Sequence, residues 1–178
     1  MKRYRTVFLD RDGVINRMRT DYVKSWDDFE PLPGALDAVG RLTRCGRDVI
    51  VLTNQSAIGQ KLISPQVVDE IHSRLAAIVE ERGGRIRAFL VCPHRIEDHC
   101  NCRKPAPGLF IRARDELGVD LASSIMVGDQ PWDVQAAKAA GCDAILLRAD
   151  CSVASIPSPP GYTVASDLAA AAGLICGD

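Results

Sequence analysis

The chain has 178 residues against about 150 per domain, so a single domain over 1–178 is expected. Its 22 Lys and Arg nearly balance 23 Asp and Glu, and the formal charge of −1 argues against nucleic-acid binding, which rests on strongly basic surfaces. With 47% hydrophobic residues the chain can build a core, and no apolar run approaches the roughly 18 residues a membrane span needs.

Taken in chain order, residues 5–9 read as a buried strand. The apolar run ends at Asp10, too soon for a secretory leader, and a cytoplasmic protein is the expectation. A helix over 34–45 follows, with Leu36, Val39 and Leu42 at helical spacing and Gly46 as its stop. Residues 48–52 form a second apolar strand. Ser64-Pro65 opens a helix running to Arg82, with Val67, Ile71, Leu75 and Ile78 on one face and Gly83-Gly84 beyond its end. Strands over 88–91, 125–128 and 144–147 alternate with helices over 107–117 and 133–140, and Ser166-Asp167 caps a last short helix. Residues 151–161, with Pro157, Pro159 and Pro160, read as an irregular connection.

Continuously apolar strands alternating with helices predict an α/β protein with a mostly parallel sheet covered on both faces. Ligands of such sheets bind beyond the carboxyl ends of the strands. The residues at those ends are therefore the first candidates for chemistry.

Asp10-Arg11-Asp12-Gly13 follows the first strand. Two carboxylates on a turn opened by Gly13 can hold a hard cation and act on a substrate; they can equally form a capping turn. Thr53-Asn54-Gln55-Ser56 follows the second strand, dense in hydroxyls and amides, and is either a binding loop or an ordinary polar one. Arg103-Lys104-Pro105 presents a cationic pair before a helix, where a solvated surface pair is the plain alternative. Asp129 and Asp133 follow the fourth strand, and either can serve as a helix cap.

Cysteine is the uneven part of the composition, since seven thiols cannot all pair internally. Cys92, Cys100 and Cys102 fall within eleven residues, where even scatter would put about 0.4, and His94 and His99 share the window. The pattern C-x-H-x5-C-x-C matches a closed, tetrahedral Cys₃His zinc site made by Cys92, His94, Cys100 and Cys102. A disulfide or inert packing are the alternatives, and His99 is the competing imidazole. Four protein ligands leave no open coordination position, so such an ion is structural. Cys45, Cys142, Cys151 and Cys176 are expected as packing residues or surface thiols.

In their order along the chain, Asp10-x-Asp12, Thr53, Lys104 and Gly128-Asp129-x3-Asp133 resemble the four motifs of the haloacid dehalogenase-like phosphatases. The resemblance implies a Rossmann-like three-layer fold and Mg²⁺-dependent hydrolysis of a phosphomonoester. It assigns Asp10 as the nucleophile that becomes an aspartyl phosphate, and Asp12 as the general acid and then base. Mg²⁺ would be held by the Asp10 carboxylate, the Asp12 main-chain carbonyl and Asp129, while Thr53 and Lys104 bind phosphoryl oxygens. Asp133 would be a supporting ligand or would orient Lys104. The assignment is electrostatically coherent, because a phosphate dianion repels a carboxylate nucleophile unless nearby cations offset the charge.

Roughly twenty residues separate Asp10 from the first helix, too few for a separate cap domain, so the zinc loop at 92–102 is expected to shape the approach to the site. The zinc loop, with Asp10 to Asn16 and Thr53 to Ser56, narrows the resemblance to the heptose 1,7-bisphosphate 7-phosphatases. Histidinol-phosphate phosphatases, which share that loop, are the alternative. By this resemblance Arg103 contacts substrate phosphate and Asn54 and Gln55 line the site. Two positions depart from the branch: Gln60 stands where an arginine is usual and Gln130 where a lysine is usual. The implied partner is a small phosphorylated sugar, and a monomer is expected.

Overall fold

The computed structural model describes residues 4–149 and 161–177. Its strands are β1 (Thr6–Leu9), β2 (Asp48–Asn54), β3 (Ala88–Cys92), β4 (Ser124–Gly128), β5 (Asp143–Leu147) and β6 (Thr163–Ala165). They form one sheet in the order β3-β2-β1-β4-β5-β6, and every neighbouring pair is parallel. The expected parallel sheet is therefore present, with β6 added to it. Apart from Gly161, the expected connection over 151–161 lies outside the described residues.

The helices are α1 (Ala35–Arg44), α2 (Ser56–Gly59), α3 (Pro65–Glu80), α4 (Gly108–Leu117), α5 (Pro131–Ala140) and α6 (Leu168–Cys176). Alternate strand residues face opposite ways, and the core divides accordingly. Val7, Leu9, Val49, Val51, Ile125 and Val127 pack with Val39 and Leu42 of α1, Ile71 and Leu75 of α3, and Ala171 and Ile175 of α6. Phe8, Ile50, Leu52 and Met126 face the other way, toward Leu109, Phe110 and Ala113 of α4 and Val134 and Ala137 of α5. Phe8 and Phe110 meet edge to face, ring centres 5.0 Å apart. The three layers follow directly from strands that are apolar on both sides.

Helix ends largely obey their local signals. The Asp167 side chain accepts from the Ala170 N–H at 2.8 Å, an N-cap as expected. Ser64 occupies the cap position of α3 without a side-chain cap bond, so Pro65 carries that start by its fixed φ. Helix α5 begins two residues before Asp133, at Pro131. Residues 11–34, between β1 and α1, contain neither helix nor strand beyond isolated bridges at Asn16. Their Val14, Ile15, Val23 and Phe29 join the core, so this stretch lies against the sheet domain.

One expectation is corrected. Cys45 and Cys176 are neither inert packing residues nor surface thiols, for they form a disulfide with Cα atoms 6.1 Å apart. Packing of α6 on α1 brings together positions 131 residues apart, a relation that local sequence does not display. Cys142 is buried, as expected of a packing residue, and Cys151 lies outside the described residues. Among the described residues no helix is long and apolar enough to cross a membrane.

Candidate active site

The strand order reverses direction at β1, from which the chain runs outward to β2 and β3 and then returns to start again at β4. That switch leaves a crevice beyond the carboxyl ends of β1 and β4, where neither crossover covers the sheet. Asp10 and Asp12 follow β1, and Asp129 follows β4. A cavity of about 630 Å³ opens there, lined by Asp10, Asp12, Asn54, Gln55, Arg103 and Lys104. Its outer wall adds Tyr22, Ile96, His99 and Trp132.

Lys104 organises the floor. Its ammonium is buried, 3.0 Å from Asp10 Oδ1 and 2.6 Å from Asp133 Oδ1, and donates to the Leu52 carbonyl at 2.8 Å. Burial disfavours this charge, yet the carboxylates of Asp10 and Asp133 more than offset that and hold Lys104 above the ordinary lysine range. Asp10 is buried too. Desolvation pushes its carboxyl up to about 7, with Lys104 pulling down and Asp133 and Asp12 pushing further up.

Asp12 lies in the opposite environment. Arg11 Nη2 donates to both its oxygens at 2.9 Å, Asn16 Nδ2 to Oδ1 at 2.9 Å, and Gln55 Nε2 to Oδ2 at 2.8 Å. Burial opposes ionisation, but Arg11 and these hydrogen bonds prevail and hold Asp12 below the usual carboxylate range. Two carboxyls two residues apart are thus driven in opposite directions.

Two glycines make room for the acids. A Cβ on Gly13, whose φ is 84°, would run into the Asp129 carboxylate. A Cβ on Gly128 would meet the Asp133 side chain. Asp129 Oδ1 is buried with no hydrogen-bond partner among the described residues, while Oδ2 accepts from Gln130 Nε2 at 2.7 Å. Carboxylate oxygens of Asp10, Asp129 and Asp133 lie within 4.8 Å of one another. A divalent cation fits this donor set: hard oxygens converge, and one of them lacks any other partner.

The polar residues at the end of β2 and just beyond it face inward as well as toward the cavity. Asn54 and the Lys104 backbone bind each other reciprocally: Lys104 N–H donates to Asn54 Oδ1 at 3.1 Å and Asn54 Nδ2 to the Lys104 carbonyl at 3.2 Å. Gln55 Nε2 also donates to Thr53 Oγ1 at 2.8 Å. Asn54 and Gln55 thus line the cavity and also brace Lys104, Thr53 and Asp12, an internal role that their sequence position does not reveal. Gln60 donates to the Tyr22 hydroxyl at 2.6 Å, tying α2 to the loop beyond β1.

The cysteine loop brings together the expected four residues and leaves His99 outside them, on the cavity wall. The sulfur–sulfur distances run from 3.3 Å (Cys92–Cys102) to 3.7 Å (Cys92–Cys100), and His94 Nδ1 lies 3.2 Å from Cys102 Sγ. A tetrahedron with Zn–S bonds of about 2.3 Å has edges of about 3.8 Å, so the cluster is close to zinc dimensions. Burial pushes the Cys92 thiol up to about 12, and a bound cation would favour its thiolate. The loop leads into Arg103, whose Nη1 donates to the His94 carbonyl at 3.2 Å. The position of this guanidinium therefore depends on the cysteine cluster.

A family model described as haloacid dehalogenase-like hydrolase matches residues 3–141. A curated relative from Pseudomonas aeruginosa, D-glycero-beta-D-manno-heptose-1,7-bisphosphate 7-phosphatase, is 39% identical over 171 residues, covering 95% of this chain and 96% of its own. A Mycobacterium tuberculosis relative named for the alpha anomer of the same compound is 42% identical, with 79% of this chain and 78% of that protein covered. The crystal structure of D,D-heptose 1,7-bisphosphate phosphatase from B. bronchiseptica, complexed with magnesium and phosphate, superposes with a TM-score of 0.88 at 37% identity, covering 96% of this chain and 97% of that one. With the sheet, the crevice and the ordered acids already in place, these matches establish that the chain belongs to the haloacid dehalogenase-like hydrolase family.

Proposed function

We propose that this protein is a phosphomonoester hydrolase that removes the 7-phosphate of D-glycero-D-manno-heptose 1,7-bisphosphate through an aspartyl-phosphate intermediate. The observation that carries the chemistry is the buried contact between Lys104 and Asp10 at 3.0 Å, at the floor of a cavity open to a small substrate. The substrate assignment is supported by the relatives' activity across nearly the whole chain.

In this reading the Asp10 carboxylate attacks phosphorus; Asp12, ionised in the free site, takes up a proton as the phosphate dianion binds beside it and gives that proton to the departing sugar oxygen. Asp12 then takes a proton from the water that opens the acyl phosphate. Lys104 and Thr53 bind phosphoryl oxygens, and Asp133 orients Lys104. Asp10, the Asp12 carbonyl and Asp129 would hold Mg²⁺, which when bound neutralises phosphate charge. Arg103, tied to the cysteine loop through the His94 carbonyl and lining the cavity, would meet a second phosphate.

Phosphate release from heptose 1,7-bisphosphate and from histidinol phosphate, compared as kcat/KM, tests the substrate. A higher value for the heptose is expected, and a preference for histidinol phosphate would overturn the assignment. Asp10→Asn should abolish turnover; full activity in that variant would rule out the covalent route.

A further inference from the structure

Arg11 is the largest fully buried side chain among the described residues, and the chemistry above makes no use of it. Isolated buried guanidinium groups are costly, so its partners matter. Nη2 spans both oxygens of Asp12 at 2.9 Å, and Nη1 lies 3.4 Å from His72 Nε2. Arginine has no acceptor, so His72 Nε2 must accept and the imidazole proton sits on Nδ1. His72 projects from α3, 61 residues further along the chain, and stacks on Phe89 of β3 with ring centres 4.3 Å apart and planes 10° from parallel. Burial and the Arg11 charge push its pKa down to about 3, so it is a neutral brace.

We propose that Arg11, braced by His72, is a positioning residue that holds the Asp12 carboxyl in the one orientation from which it exchanges protons with the leaving oxygen and with water. Asn16 and Gln55 each fix one Asp12 oxygen, whereas Arg11 spans both and sets the plane of the carboxyl. A fixed proton donor reaches the transition state without a search over rotamers. The inference rests on the acid–base reading of Asp12.

The test is rapid-mixing kinetics on p-nitrophenyl phosphate, whose phenolate leaves without needing a proton. The first step then bypasses Asp12 and the second does not. Arg11→Met should release its first equivalent of nitrophenol within about threefold of the wild-type rate, then turn over about 30-fold more slowly, a burst that wild type lacks. His72→Phe preserves an aromatic ring against Phe89, removes the acceptor, and should show the same burst with a steady rate reduced about fivefold. It carries the test if Arg11→Met does not fold. Asp12→Asn is the reference. A burst in Asp12→Asn but equal loss of both phases, or no loss, in the Arg11 and His72 variants would overturn the positioning role alone. No burst in Asp12→Asn would overturn the acid–base reading and this inference with it.

Discussion

Lys104 Nζ lies 2.6 Å from Asp133 Oδ1, and neither side chain is reached by solvent. Such a pair fixes an ammonium in space, because breaking it strands a buried charge. Lys104→Met would leave Asp10 and Asp133 facing each other without their shared cation. A stability loss of about 3–5 kcal/mol in urea unfolding is expected, together with loss of phosphatase activity. A fully stable, inactive Lys104→Met would show that Asp133 has another role.

Zinc removal should act through Arg103. A strong chelator, or Cys100→Ser, should take away about one zinc per chain by elemental analysis and lower the melting temperature. Because Arg103 hangs on the His94 carbonyl, KM for a bisphosphate should rise more than KM for a monophosphate. Equal changes in both would detach Arg103 from the second phosphate.

Asp10 should make the response to magnesium depend on pH. Its carboxyl is raised by burial to about 7, so between the ordinary value of 3.8 and about 7 the folded state binds more protons than the unfolded one. This contribution to stability therefore falls as pH rises through that window. A cation at the site favours the ionised form, so Mg²⁺ should raise the melting temperature more at pH 8 than at pH 5.5. Equal gains at both pH values would contradict a cation held by Asp10.

His72 runs the other way. Its pKa falls from 6.5 to about 3 on folding, so the unfolded state binds more protons across that interval. The contribution is full above 6.5 and is lost as pH falls toward 3. His72→Phe should therefore lose about 1 kcal/mol less than wild type between pH 7.5 and pH 5.5 in chemical unfolding. Comparing the two proteins cancels the opposing contribution of Asp10, which both retain.

The parts legible in sequence are those whose cause is local. Five strands read as apolar runs because both faces of the sheet are covered, and the acids stand out because they end those runs. Strand β6 escaped because three residues carry no usable period, and α2, a single turn, has the same defect. Nothing local marks Arg11 as buried; its contact with His72 is made where α3 meets β3. The Cys45–Cys176 bond and the bracing by Asn54 are likewise products of tertiary contact. Two departures from the family pattern acquire specific partners: Gln60 holds Tyr22, and Gln130 holds Asp129.

The sheet order has a consequence for how such a site can change over time. With β1 at the centre, β2 and β3 supply Asn54, Gln55 and the cysteine loop on one flank, while β4 supplies Asp129 on the other. In the proposed reading, recognition of the departing sugar belongs to the first flank and cation binding to the second. Insertions or substitutions in the cysteine loop between β3 and Lys104 can therefore redirect the enzyme to new esters while the acids, Gln55 and Lys104 are inherited intact. A lineage need alter only one side of its central strand to explore new substrates.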